Sequence, residues 1–291
     1  MLSIRSFVKH LRLNYQIFIL SGAFLAGGLF SNMTTIPIFV LNFFVLNIFL
    51  GGGATAYNSY WDKDDGPIGG LYEPPALHRW MLFTSLSLKF FALIICTLTV
   101  GISGFILSLS SIYLSILYSS PQFRWKEKPL HSIVIIFLGS GLIAFLLGFI
   151  SAGTNNLDIY SFMAAISAGF IVISLYPLSQ SYQLEQDRRK GFKTIAMLLR
   201  KKGLILFYAI TFFVGLILLT WALLSLSVFM GVLTFMMGTI FSIILIVVLH
   251  RKLTMTVNDY KLVMTIKYFF GITSLILITI TILFTKGHLL F

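Results

Sequence analysis

The sequence predicts an all-α, polytopic membrane protein, a bundle of nine transmembrane helices, and three observations support this prediction. The 291 residues are 58% hydrophobic, and their mean hydropathy is +0.95. Charged residues make up 10% of the chain, whereas a soluble globular protein has about 25%. Nine apolar segments approach the ~20 residues that a membrane-spanning helix needs. This composition excludes soluble, disordered, collagen-like and disulfide-rich proteins, the last because Cys96 is the single cysteine.

The nine segments follow one another along the chain and form one integral-membrane domain over residues 1–291. Basic residues precede the first segment but no small-residue cleavage site follows it, so we interpret it as an uncleaved helix rather than a signal peptide. Gly101 and Gly104 predict a tight turn between the third and fourth segments, and Asp158 is predicted to cap the sixth helix. The approximate bounds are 14–31, 34–56, 80–100, 104–119, 132–152, 159–179, 204–224, 228–249 and 266–285.

The basic residues predict how the helices are oriented. The net charge is +12, and with nine spans 19 of the 21 Lys and Arg residues fall on the same side as the N-terminus. Cytoplasmic loops of membrane proteins carry such an excess of Lys and Arg. We therefore predict a multi-pass protein of the cell inner membrane, with a cytoplasmic N-terminus and an external C-terminus. The charge is explained by these loops and the lipid bilayer, so we expect no nucleic-acid partner.

A first acidic cluster lies where the second segment ends, in residues 57–66. If the helix continues past Asn58, then Asn58, Asp62 and Asp65 share one face at i, i+4 and i+7, while Asp64 points elsewhere. Oxygen ligands on one face suit Mg²⁺, which takes one or two carboxylates together with substrate phosphates. The alternative is a polar cap on an amphipathic helix end.

A second acidic cluster follows the sixth segment, in residues 182–191. Gln183 and Asp187 share a helix face at i, i+4, whereas Glu185 lies off that face unless the backbone is irregular. Taken alone, this cluster could be a basic juxtamembrane loop attracted to anionic lipid.

The two clusters are predicted to form one site, because an even number of spans separates them and both fall on the cytoplasmic side. Carboxylates would hold Mg²⁺, the metal would hold phosphate oxygens, and Lys or Arg would neutralise the remaining charge. A diphosphate leaving group fits this site, and an isoprenoid chain fits the apolar bundle above it.

With these motifs the chain resembles the UbiA family of intramembrane prenyltransferases. The family's first motif, N-x-x-x-D-x-x-x-D, is matched by Asn58 and Asp62, but Gly66 takes the last position and Asp65 comes one residue early. Its second motif, D-x-E-x-D-R-x-x-G, is matched except that Gln183 replaces the leading Asp; the matching residues are Glu185, Asp187, Arg188 and Gly191. The stretch from Tyr118 to Arg124 resembles the family's Y-S-x-P segment followed by a basic residue, and Arg12 lies where the family often has a substrate-binding arginine.

The resemblance implies a role for each of these residues. Asp62 and Asp187 would be catalytic, and the metal ligands would be Asn58, Asp62, Asp65, Glu185 and Asp187. The diphosphate would be bound by Arg12, Tyr118, Arg124, Lys126 and Arg188. Gln183 is a candidate for substrate contact. Lys89, predicted to be the only basic residue buried within a span, is another, because intramembrane charges are often functional, although it could also snorkel to the interface.

The function implied by the resemblance is Mg²⁺-dependent transfer of a prenyl group from a prenyl diphosphate to a hydrophobic, commonly aromatic, acceptor within the membrane. One alternative is an intramembrane terpene cyclase that uses the same diphosphate site. A transporter is disfavoured because charges are scarce within the spans. A catalytically decayed membrane scaffold is the remaining alternative, because Gly66 and Gln183 depart from the family motifs.

Overall fold

The computed structural model describes residues 2–153 and 156–286, which fold into a bundle of α-helices. In the described part of the chain, β-pairing is limited to one bridge between Ile68 and Leu71, so the all-α prediction is confirmed. Part of the predicted loop near residue 155 and the predicted external C-terminal end lie outside the described residues. The helices are α1 (Ser3–Leu20), α2 (Gly22–Phe30), α3 (Ile36–Asp62), α4 (Trp80–Ser119), α5 (Pro129–Ser151), α6 (Ile159–Ser181), α7 (Leu184–Arg189), α8 (Ile195–Leu224), α9 (Val228–Lys252) and α10 (Asp259–Lys286).

The helices are long because a backbone in lipid must satisfy its own hydrogen bonds, which an uninterrupted helix does. Within the described residues, seven helices are long and apolar enough to cross a membrane, or eight when α1 and α2, which meet at 45°, count as one bent span. The predicted helix start at Asp158 is confirmed, because the Asp158 carboxylate accepts a hydrogen bond of 2.7 Å from the Ser161 amide. The count of nine spans stays a prediction.

Helix α4 covers both the third and the fourth predicted segments and folds back on itself. Val100 and Gly101 have non-helical dihedral angles, and Gly101 has φ 67° and ψ −148°, a conformation that favours glycine. The Lys89 Nζ donates a hydrogen bond of 2.9 Å to the Ser115 Oγ, 26 residues further along the chain. That many residues of straight helix would span about 39 Å. Helix α4 is therefore a hairpin of two antiparallel halves, with its turn at the predicted position.

Close helix packing holds the bundle together. Helices α2 and α5 meet at Gly27 and Gly148, where a Cβ atom on either glycine would overlap the backbone of the opposite helix. Small residues allow such close approach in membrane proteins. Leu98 and Ile102, at the tip of the α4 hairpin, are 80% and 70% exposed, as expected of apolar side chains that face lipid.

Three helices change to π-helical geometry around a common space. The π-helical segments are Gln16–Leu20 in α1, Val45–Gly51 in α3 and Phe137–Ile143 in α5. Residues of all three segments line one internal cavity. Because π-helical turns are rare and occur frequently at functional sites, they mark this cavity as the place to look for one.

Candidate active site

The cavity has a volume of about 310 Å³ and is polar at the end where α3 stops. Asn58, Asp62 and Asp187 line the polar end, while Leu46 and Leu50 line the cavity about three to four turns earlier on α3. Further apolar lining comes from Leu20, Leu114, Ile135, Ile136, Ala144 and Val172. The cavity can therefore hold a molecule with a charged head and an apolar body.

The first acidic segment places its leading carboxylate firmly in the cavity. The Asn58 Nδ2 donates hydrogen bonds to the Asp62 Oδ2 at 2.8 Å and to the Ser119 Oγ at 3.1 Å. The other oxygen of Asp62, Oδ1, forms an ion pair with the Lys126 ammonium. Asn58 thus orients Asp62, and Lys126 places a positive charge where a cation can bind the carboxylate.

The prediction that Asp65 shares one helix face with Asn58 and Asp62 is wrong. Helix α3 ends at Asp62 because Lys63 adopts the left-handed conformation, with φ 47°. The helical register is lost there, and Asp64 lines the cavity instead. Its Oδ1 accepts hydrogen bonds from the Lys190 Nζ at 2.7 Å and the Gln186 Nε2 at 2.8 Å. Asp65 has a side chain 67% exposed and lies 3.8 Å from the Arg189 Nη2, outside the cavity.

The second acidic segment brings one carboxylate to the same space. Asp187 lines the cavity, whereas Glu185 and Arg188 are exposed on α7 and do not line it. Gln183 lines the cavity and donates a hydrogen bond of 3.1 Å to the Pro67 carbonyl, so it ties the α3–α4 loop to α7. Of the second motif, Asp187 alone is placed to meet a bound cation directly.

The pKa of Asp187 is raised to about 7, chiefly by burial and also by the nearby carboxylates of Asp64 and Asp62, against the lowering effect of Lys126 and Lys190. Four acidic residues line the cavity, namely Asp62, Asp64, Glu127 and Asp187, and a divalent cation would relieve the repulsion among the three aspartates.

The residues present fit Mg²⁺ when it is shared with phosphate oxygens. Among the described residues, no three His, Cys, Asp or Glu side chains are arranged to hold a metal by themselves. Mg²⁺ needs only one or two carboxylates when phosphates and water complete its shell. The ammonium groups of Lys126 and Lys190 already contact Asp62 and Asp64 as cations. Asp62, Asp64 and Asp187 are therefore the residues that would hold the metal.

The predicted diphosphate-binding residues are only partly brought to the cavity. Arg12, Tyr118 and Lys126 line it. The Arg12 Nη2 donates a 2.6 Å hydrogen bond to the Ser59 Oγ, and the Tyr118 hydroxyl lies 3.1 Å from that of Tyr176.

Arg124 lies beside the cavity rather than in its wall. It pairs with Glu127 at 3.1 Å, and its guanidinium lies 5.5 Å from the Phe192 ring centroid. Because Glu127 itself lines the cavity, the Arg124 guanidinium lies next to the cavity wall.

Lys89 is fully buried but does not line the cavity. Its ammonium lies 4.0 Å from the centroid of the Tyr57 ring and bonds Ser115, which does line the cavity. The prediction that Lys89 is the only basic residue buried within a span is wrong. Lys267, in α10, is 4% exposed and lines the cavity.

Sequence reasoning missed Lys190 and Lys267 as members of the site. Both residues contribute only to the predicted cytoplasmic charge, and the predicted helical register points Asp64 away from the site. A signal was available for Lys267, since it falls inside the predicted span 266–285, where a charge is costly and often functional. No sequence signal identifies Lys190, whose role depends on the contact between α7 and the α3–α4 loop.

Comparison with known proteins agrees with this geometry. A UbiA homologue from Archaeoglobus fulgidus shares 18% identity and a TM-score of 0.70, over 95% of this chain and 98% of that one. The same homologue bound to GPP and Mg²⁺ gives 16% identity and a TM-score of 0.69, over 92% and 99%. A structure described as digeranylgeranylglyceryl phosphate synthase gives 19% identity and a TM-score of 0.64, over 97% and 99%. At such identities, these likenesses establish the fold.

No curated protein sequence matches the chain significantly. A sequence model of the UbiA prenyltransferase family, however, matches residues 16–270, which is most of the chain. With the two acidic segments meeting at one cavity, this match identifies the chain as a member of the UbiA prenyltransferase family.

Proposed function

We propose that this protein transfers a prenyl group from a prenyl diphosphate to a hydrophobic or aromatic acceptor inside the membrane, with Mg²⁺ as cofactor. The observation that carries the proposal is the cavity in which Asp62, Asp64 and Asp187 meet beside an apolar interior. The Archaeoglobus fulgidus homologue has been solved with GPP and Mg²⁺ and with DMAPP and Mg²⁺, which supports the same substrate class here.

The membrane arrangement belongs to the same proposal. If the two halves of α4 cross the membrane separately and α1 and α2 count as one span, the chain has nine spans. The basic residues then place the polar end of the cavity on the cytoplasmic side of the cell inner membrane. A prenyl diphosphate would enter with its head among the charged residues and its tail among the apolar helices.

The reaction breaks the bond between prenyl C1 and its oxygen, and the electron pair leaves with the diphosphate. Asp62, Asp64 and Asp187 would hold Mg²⁺, which when bound would supply positive charge to the diphosphate oxygens. Lys126 and Arg12 add fixed positive charge beside them, and such electrostatic stabilisation is the main catalytic contribution. The apolar wall around Leu46 and Leu50 excludes water from the allylic cation. The acceptor then donates an electron pair to C1 and loses a proton, which the released diphosphate accepts.

Two departures from the family motifs favour an alternative, a membrane scaffold that has lost its catalytic activity. Gly66 offers no ligand, and Gln183 bonds the Pro67 carbonyl. Activity therefore depends on whether Asp64 replaces the missing carboxylate, which its place in the cavity favours.

The decisive test measures diphosphate release by the purified protein in lipid nanodiscs. With geranyl diphosphate and a panel of phenols, aromatic acids and glycerol phosphates, we expect release and a prenylated product with Mg²⁺, loss of both with EDTA, and recovery when Mg²⁺ returns. Hydrocarbon formed from geranyl diphosphate alone would favour the cyclase. Absence of release with every acceptor would favour the decayed scaffold.

A further inference from the structure

The charges that line the cavity are unequally balanced. On the side of the acidic segments, Lys126 lines the cavity and pairs with Asp62, and Lys190, which does not line the cavity, pairs with Asp64. Lys267 also lines the cavity, but among the described residues no carboxylate lies within ion-pair distance of it. One part of the wall therefore carries positive charge without a counterion.

Lys267 is almost completely buried, with 4% of its surface exposed. Its Nζ donates hydrogen bonds to the Tyr15 hydroxyl at 3.2 Å and to the Ser179 Oγ. Both partners are hydroxyl groups of residues that also line the cavity. A buried ammonium without an anion loses its hydration and gains little in return. Such a group is stable only if something else compensates the charge, and a ligand in the cavity can do so.

Arg12 lies between Lys267 and the acidic segments. Tyr15 interacts electrostatically with both Lys267 and Arg12, and the buried Nε of Arg12 has no hydrogen-bond partner among the described residues. The charged residues that act most strongly on Asp187 are instead Lys126, Asp64, Asp62 and Lys190. The cavity thus contains an acidic neighbourhood around Asp62, Asp64 and Asp187 and a basic neighbourhood around Lys267, and Arg12 lies between them because Asp64 and Tyr15 both act on it electrostatically.

The α3–α4 loop closes the basic neighbourhood. Ile68 and Gly69 line the cavity there, and a Cβ on Gly69 would lie 3.2 Å from the Tyr15 ring. The loop therefore packs directly against the residue that Lys267 bonds, and the corner is a built pocket rather than an exposed surface.

We propose that Lys267 binds an anionic group of the acceptor, a carboxylate or a phosphate. The proposal rests on the prenyl-transfer function proposed above and specifies its second substrate. The donor diphosphate is served by the metal-binding carboxylates with Lys126, whereas Lys267 lies in the other neighbourhood with two hydroxyls around it. An acceptor held there by its anionic group would direct its body towards the donor.

The first test compares acceptors that differ only in charge. The pairs are 4-hydroxybenzoate with 4-hydroxybenzyl alcohol, and glycerol 1-phosphate with glycerol. Lys267→Met should raise the KM of whichever anionic acceptor the enzyme uses about 10- to 100-fold, the loss expected for one charge-assisted hydrogen bond. The KM of the neutral partner should change less than about twofold, and the choice between the two pairs distinguishes a carboxylate from a phosphate.

Two further variants control the first test. Lys267→Arg keeps the charge and should retain most of the wild-type preference. Lys261→Met removes an exposed lysine from the same helix and should behave as wild type. Equal effects of Lys267→Met on charged and neutral acceptors would overturn the proposal. So would a rise in the KM of geranyl diphosphate alone, which would assign Lys267 to the donor.

The second test needs no turnover, so it separates this proposal from the proposed function. We expect 4-hydroxybenzoate or inorganic phosphate to raise the melting temperature of the metal-free wild-type protein, and Lys267→Met to abolish the shift while Lys261→Met preserves it. If the melting temperature shift depends on Lys267 but the protein has no transferase activity, the anion site is supported and prenyl transfer is refuted. Transfer to neutral acceptors alone, with no shift from either probe, would refute the anion site.

Discussion

The two acidic segments, residues 57–66 and 182–191, have similar compositions but contribute differently to the cavity. The first supplies two carboxylates to the cavity wall, Asp62 and Asp64, while the second supplies Asp187 to the wall and Lys190 as the ion-pair partner of Asp64. Lys190 bonds the Asp64 carboxylate at 2.7 Å and the Asp62 carbonyl at 2.8 Å. The second segment therefore has two roles: Asp187 is a candidate metal ligand, and Lys190 neutralises a carboxylate of the first segment.

The cause of the difference is where each helix stops. Helix α3 ends at Asp62 with Lys63 in the left-handed conformation, which turns the chain so that Asp64 enters the cavity. Helix α7 runs from Leu184 to Arg189 and leaves Glu185 on its exposed side. Which acids enter the cavity thus depends on a single backbone turn as much as on their spacing.

The largest expected effect is that of Asp62→Asn. It removes the carboxylate that Asn58 orients and that Lys126 contacts. We expect kcat/KM for diphosphate release to fall about 10²- to 10³-fold, because charge stabilisation in the transition state is lost. The matched control is Glu73→Gln, an exposed acid of the same loop. A variant that folds, as judged by its melting temperature, and keeps more than a tenth of the activity would contradict the assignment.

Asp187→Asn is expected to have a smaller effect than Asp62→Asn, because the two carboxylates of the first segment remain. The expected change is a rise of about tenfold in the Mg²⁺ concentration at half-maximal rate, as one of the shared ligands is lost. Titration of the rate with Mg²⁺ measures it. If Asp187→Asn lowered the activity more than Asp62→Asn, the second acidic segment rather than the first would be the principal metal-binding segment.

Asp64→Asn and Asp65→Asn change neighbouring residues, but we expect them to have different effects on kcat/KM. Asp64 lines the cavity and bonds Lys190, so we expect a loss of several-fold to about tenfold in kcat/KM. Asp65 is exposed and its pair with Arg189 contributes little, as surface ion pairs generally do. Equal losses would show that Asp65 enters the site when substrate binds.

The smallest expected effect is that of Lys63→Gly. Glycine adopts the left-handed conformation without the cost of about 1 kcal/mol that other residues incur. We therefore expect unchanged activity and a slightly higher melting temperature. Lys63→Val, which disfavours that conformation, should instead lower the activity by displacing Asp64. Unchanged activity in Lys63→Val would show that the turn at residue 63 does not position Asp64.

Much of the fold could be predicted from the sequence because lipid imposes strong rules on it. Apolar segments of sufficient length predicted the helices, Gly101 predicted the turn within α4, and Asp158 predicted the start of α6. The meeting of Asp62 and Asp187 at one cavity also agrees with the prediction that both acidic ends lie on one side. The exact number of spans and their orientation remain predictions.

The rest of the site could not be predicted because it depends on contacts between residues far apart in the chain. Lys190 reaches Asp64 across 126 positions, and Lys267 reaches Tyr15 across 252. Spacing rules describe one helix at a time and are silent about such pairs. They also assume that a helix continues, which failed at Lys63.

The sequence by itself determined that this is a helical membrane protein with two acidic helix ends, because hydropathy and local spacing follow directly from residue order. Only the tertiary structure decided that Asp64 rather than Asp65 faces the cavity, and that Lys267 is buried there without an acidic partner among the described residues. The physical reason is that a charge in a low-dielectric interior is governed by its nearest neighbours in space, and those neighbours are set by how the helices pack.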